Sequence, residues 1–176
     1  MAGEQKQFLK QVTALWRREF PFLQPVDLQE LPRVPKGCNF LFQGGGGAPG
    51  YYYFISFDFS PKRRGEFSIG VTISQSPERS TLNPATVDKP TPTSVGSFGI
   101  WQFMSRHYLA WALVDLEAEA KALFGLSTGL PQSPNVWHPT TYDQPLEKIL
   151  EEAIADVNQT LRKYVLPALQ IQAQTA

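Results

Sequence analysis

The sequence predicts an α+β fold: an antiparallel sheet of about four strands packed against N-terminal and C-terminal helices. Three observations predict it. Apolar residues recur at helical spacing before residue 20, alternate with a period of two from Cys38, and return to helical spacing after residue 105. The 176 residues suit a single domain, read as 1–176. With 42% apolar and 18% charged residues, the chain can fill a core, which excludes wholesale disorder.

Residues 4–20 carry Phe8, Leu9, Val12, Leu15 and Trp16 on one helical stripe, with Lys6, Lys10, Arg17 and Arg18 mostly elsewhere. Pro21 ends that helix because proline cannot continue the backbone ladder. Residues 21–37, with Pro21, Pro25, Pro32 and Pro35, read as an extended connection along the surface. The sheet is expected over 38–104. Its strands are 38–43, 51–60 and 66–74, separated by turns at 44–50 and 61–65. In the third, Phe67, Ile69, Val71 and Ile73 share one face and Glu66, Ser68, Gly70, Thr72 and Ser74 the other. In the second, Tyr53, Ile55, Phe57 and Phe59 oppose Tyr52, Phe54, Ser56 and Asp58. A fourth strand is expected over 98–104, after a long segment holding Pro77, Pro84, Pro90 and Pro92.

Residues 105–124 look helical, with Ser105 as N-cap and Gly125 as the stop. Trp111 and Val114 fall off that stripe, so part of the segment extends the strand or is buried on several sides. A loop with Pro131, Pro134 and Pro139 leads to a helix over 144–165. Its stripe runs Leu146, Ile149, Leu150, Ala153, Ile154, Val157, Leu161, Tyr164 and Val165. Pro145 suits the first turn, and Glu147 early with Arg162 and Lys163 late complement the helix dipole. The last residues are expected to fray.

Composition closes off several chemistries. Sixteen Lys+Arg balance sixteen Asp+Glu, unlike a domain built to hold phosphate backbones, so no nucleic-acid partner is expected. Lys62-Arg63-Arg64 is too short a run to change that. No stretch approaches the ~20 apolar residues of a membrane span, and Met1 to Lys6 lack a secretory pattern. The expectation is a soluble, cytoplasmic protein that uses no membrane. A single cysteine, Cys38, allows no internal disulfide and no multi-cysteine zinc site. His107 and His138 lack metal-ligand spacing, so neither metal nor cofactor is expected. Gly45 to Gly50 formally match G-x-G-x-x-G, but a strand follows where a dinucleotide site needs a helix N-terminus. There is no phosphate loop of the G-K-[ST] type.

Candidate functional residues lie in two places. The Pro-rich loops 75–96 and 127–144 carry Arg79 and Asp88, and Trp137, His138 and Tyr142. Aromatic and charged groups on long loops suit a partner-binding surface. The polar face of the sheet carries Tyr52, Asp58 and Glu66. Two carboxylates near one another can divide acid and base roles, or else pair with the basic turn between them.

In outline the chain resembles a bacterial domain-of-unknown-function family, the one numbered 4304. The resemblance rests on Phe54-Ile55-Ser56-Phe57-Asp58-Phe59-Ser60, then Gly65-Glu66-Phe67-Ser68-Ile69-Gly70-Val71, then Trp137 and Leu166-Pro167-Ala168-Leu169. The four-glycine turn and the long Pro-rich loops depart from it. The family supplies no catalytic residues. Small α+β proteins of this type are similar to immunity proteins encoded beside bacterial toxins, an analogy of fold and not of site. The resemblance therefore implies a non-enzymatic bacterial binding protein whose protein partner is a toxin that it occludes. The alternative is a small-molecule-binding protein or hydrolase that uses Asp58, Glu66 and one histidine on the polar sheet face. Neither the oligomeric state nor the partner's identity is legible.

Overall fold

Four aromatic or branched residues spaced every fourth position, Phe8, Val12 and Trp16 on the first helix and Phe20 just past its end, make one apolar ridge. All four are fully buried. That helix, Ala2–Glu19 (α1), ends where Pro21 removes a backbone donor. The protein is seen in a computed structural model that describes residues 2–27, 40–44, 47–60, 65–76, 89–104, 110–115, 118, 121–122, 125 and 135–171.

The α+β class is as expected, but the sheet is larger than four strands. Its strands are Leu23–Val26 (β1), Phe40–Gly44 (β2), Tyr52–Phe59 (β3), Glu66–Ser74 (β4), Gly96–Gly99 (β5), Ala110–Ala112 (β6) and Val136–Trp137 (β7). The spatial order is β1-β2-β3-β4-β6-β7, with β5 also paired to β4. β4 pairs with β3 from Phe67 to Ser74 on one side. On the other side Glu66 and Phe67 pair with β6, while Gly70 to Ile73 pair with β5. All pairs are antiparallel except β6 with β7.

The expected surface connection 21–37 thus contains an edge strand, β1. Its Pro25 is tolerated because only one side of an edge strand must donate to a ladder. The expected strand 98–104 begins earlier and stops at Gly99, because Ile100–Phe103 wind into a 3-10 turn. Its Gln102 side chain accepts from the Gly99 amide at 2.9 Å, which closes that turn. The expected helix 105–124 is a strand at Ala110–Ala112, although Ala118, Lys121 and Ala122 are helical. Trp111 decides this: it stacks on Phe67 across the β4–β6 pair, centroids 5.6 Å apart and planes 9° apart. The expected loop 127–144 contributes β7. Cys38, Lys62 to Arg64, residues 105–109 with His107, and the tail 172–176 lie outside the described residues.

The last long helix, Leu146–Thr160 (α2), continues through a π turn at Leu161–Val165 into Leu166–Ala168. Ile149, Leu150, Ala153, Ile154 and Val157 are buried with α1 against one face of the sheet. Phe67, Ile69, Val71 and Ile73 of β4 and Tyr53, Ile55, Phe57 and Phe59 of β3 complete that core. Buried indoles find partners on α2: Trp16 donates to Asn158 Oδ1 at 2.7 Å and Trp111 to Asp156 Oδ2 at 2.8 Å. Burial pushes the Asp156 carboxyl above its ordinary pKa, and the Trp111 hydrogen bond only partly opposes that. No helix among the described residues is long and apolar enough to cross a membrane.

Candidate functional site

The face of the sheet turned away from the helices holds the site, and small residues shape it. Alternation puts Ser56 and Asp58 of β3, Ser68, Gly70 and Thr72 of β4, and Ser97 and Gly99 of β5 on that face. Register then makes three cross-strand rows. Asp58 stands beside Ser68, Ser56 beside Gly70 beside Gly99, and Thr72 beside Ser97. The middle row has the least bulk, so the surface is hollow there. The hollow is an open groove of about 390 Å³. That volume is at the lower end of ligand clefts, roughly 300–1,000 Å³.

Gly70 cannot be replaced without filling the floor, since a Cβ there would lie 2.7 Å from Ser56 Oγ. The Ser56 hydroxyl is 3.3 Å from Asp58 Oδ2, to which it donates. Thr72 and Ser97 hydroxyls are 3.0 Å apart. At the open end stands Trp101. The 3-10 turn carries its indole back over Gly99, where Nε1 and Cδ1 occupy the space a Cβ would need. The ring is still 44% exposed, one of two large apolar side chains among the described residues to be so open. The groove is thus lined by the Trp101 indole, the Asp58 carboxylate, the Ser68 and Ser97 hydroxyls, glycine backbone and the intervening Ile69, Val71, Phe98 and Ile100, with Ser56 and Thr72 buried in its floor.

This face is not uniformly solvated, as a simple apolar-in, polar-out sheet would be. Phe54, Ser56 and Thr72 are each only 1% exposed, and Ser74 and Glu66 are also buried. Tyr52 is half-buried opposite Ser74 and takes no part in the groove lining. Of the described residues singled out from sequence, only Asp58 lines it.

Glu66, His138 and Tyr142 come together elsewhere on the sheet. Glu66 pairs with Ala112, and Trp111 pairs with Trp137, so His138 follows β7 alongside Ala112. The Tyr142 hydroxyl donates to the Ala112 carbonyl at 3.1 Å. Having spent its one hydrogen, it accepts from His138 Nδ1–H at 2.8 Å. The imidazole is therefore the Nδ1–H tautomer when neutral, and its buried Nε2 has no hydrogen-bond partner among the described residues. Burial lowers the His138 pKa, while the charges of Asp115 and Glu66 pull it back up. Burial pushes the Tyr142 hydroxyl well above its ordinary value, and the Asp115 charge adds to that. Trp137 is half-buried against the core. These three side chains tie their segment to β6. Arg79 and Asp88 lie outside the described residues.

Trp101, Ser56, Ser68, Gly70, Thr72, Ser97 and Gly99 were not singled out from sequence as a site. The available signal was the small-residue series on one face of residues 66–74, followed downstream by Gly-Ser-Phe-Gly-Ile-Trp. Among the described residues no three His, Cys, Asp or Glu side chains are grouped to hold a metal ion. Comparison of the chain with protein families, with curated proteins and with solved structures finds no match.

Proposed function

We propose that this chain is a binding protein whose ligand, a small polar molecule, seats in the groove between Asp58 and Trp101. One observation carries the reading: a half-exposed indole and a carboxylate frame a hollow floored by Gly70 and lined by hydroxyls. Paired strands hold Asp58 and the hydroxyls, and the space over Gly99 holds the Trp101 indole, so binding would need little ordering of the lining. The hydrolase alternative asks for Asp58, Glu66 and a histidine in one cleft. Among the described residues the lining has neither a histidine nor Glu66. The test is a small-fragment library titrated into ¹⁵N-labelled protein. Saturable shifts should centre on the amides of Ser68, Gly70, Ser97 and Gly99 and on the Trp101 indole. Shifts centred elsewhere would move the site, and none at all would overturn it.

The toxin-occluding role implied by the resemblance is a second reading, favoured by a different observation. Val95, 45% exposed, and Trp101 flank β5 at its two ends and could share one macromolecular contact. The two readings part at Val95. A protein partner that covers both ends would be weakened by Val95→Glu, whereas a ligand held in the groove would not. Co-expression with a neighbouring toxin gene, with growth as the readout, tests the partner itself.

A further inference from the structure

We propose that the ligand of the groove is a saccharide, its pyranose ring laid on the Trp101 indole and its hydroxyls held by Asp58, Ser68 and Ser97. This rests on the groove being the binding site. Sugar rings have apolar C–H faces and a rim of hydroxyls that both donate and accept. Recognition therefore calls for a flat apolar platform beside several groups of mixed donor and acceptor character. The lining offers one indole and the partly exposed hydroxyls of Ser68 and Ser97, which play either role, above the buried Ser56 and Thr72. A carboxylate with two acceptor oxygens suits neighbouring hydroxyls on one ring, and charge strengthens each such bond. Trp101 is held in place by the backbone, since its pyrrole edge rests in the space left by Gly99. Little side-chain freedom would thus be lost on stacking.

Other ligand classes fit the lining less well. A phosphate-bearing ligand calls for Arg, Lys or a cluster of amides, and the described lining residues include no cation. A quaternary ammonium is usually enclosed by several aromatic faces, and here one indole is present among the described lining residues. A wholly apolar ligand would strip water from the Asp58 carboxylate and the Ser68 and Ser97 hydroxyls without replacing it. The groove is also open, which allows a sugar at the end of a longer glycan to enter as readily as a free one.

The experiment titrates the full chain with neutral saccharides (glucose, galactose, mannose, N-acetylglucosamine and their short oligomers), followed by amide and indole shifts. Parallel arms use tetramethylammonium and inorganic phosphate. The expected result is saturable binding of at least one sugar at the Gly70, Ser97 and Gly99 amides. Trp101→Ala and Asp58→Asn should each weaken it tenfold or more, with melting temperatures unchanged. Preference for an oligomer over its monomer would identify the glycan end as the source. If tetramethylammonium, phosphate or members of the fragment library move the groove amides while no sugar does, the saccharide is overturned and the groove stands. If neither sugars nor fragments move them, or sugar binding survives both substitutions, both readings fall.

Discussion

The two faces of β4 are built from neighbouring residues and behave as opposites. Phe67, Ile69, Val71 and Ile73 are buried by α1 and α2 and make aromatic and aliphatic contacts throughout. Ser68, Gly70 and Thr72, one step away along the strand, contribute almost no bulk and leave a hollow. The lesson is that one strand can carry the stability of the fold on one side and a recognition surface on the other. Because the faces share a backbone but not side-chain contacts, substitutions on them should separate stability from binding.

The largest effect should come from the helix side. Ile154→Asp would bury a charge where α2 meets the core, which we expect to cost ~4 kcal/mol or more, read as lost cooperative unfolding or a much lower denaturant midpoint. Phe67→Ala and Ser68→Ala then put the comparison inside two adjacent residues. The first should cost about 3–5 kcal/mol, because it opens a cavity among Phe8, Phe57 and Trp111. The second should stay within ~0.5 kcal/mol. Equal costs would show that the groove face is packed as tightly as the core.

A smaller effect tests the β6 tie. Tyr142→Phe removes the hydrogen bond to Ala112 and the acceptor of His138, for roughly 1–2 kcal/mol by chemical denaturation. The same cluster has a pH signature. Since the folded pKa of His138 lies below its ordinary 6.5, the unfolded chain takes up a proton that the folded chain resists. Stability is then complete above about pH 6.5 and falls as pH drops from there toward the folded pKa. Asp156 acts in the opposite sense: its raised pKa makes stability fall as pH rises through it. Comparing native protein with His138→Asn between pH 7.5 and 5.5 cancels the Asp156 contribution. An identical pH slope in the two proteins would remove His138 from the account. The smallest effect on stability should be that of Trp101→Ala, within ~0.5 kcal/mol, since the indole is half in solvent already. A large loss there would make Trp101 a packing residue and the groove its by-product.

The elements legible in the sequence are those whose burial follows a local period. Phe8, Val12 and Trp16 recur every four residues, and Phe67, Ile69, Val71 and Ile73 every two, so each pattern declares its own face with no knowledge of a partner. The helix at 146–160 was legible for the same reason. Elements decided by distant partners were not. β1 exists because β2 accepts it, and its four residues with Pro25 carry no strand signal of their own. Ala110–Ala112 sits in a run that satisfies helical spacing, and two alanines favour helix. The Phe67–Trp111 stack and the pairings on both sides override that local preference. Asp58 was visible as a polar residue on a strand face, but its neighbours in the groove come from residues 56, 68, 70, 72, 97, 99 and 101. Sequence alone assigns residues 56, 68, 70 and 72 to a face, whereas Ser97 lies outside the expected strand 98–104 and Trp101 sits in a 3-10 turn. Which of them stand side by side is a matter of strand register, and register is settled only when three strands bury their apolar faces against the same two helices.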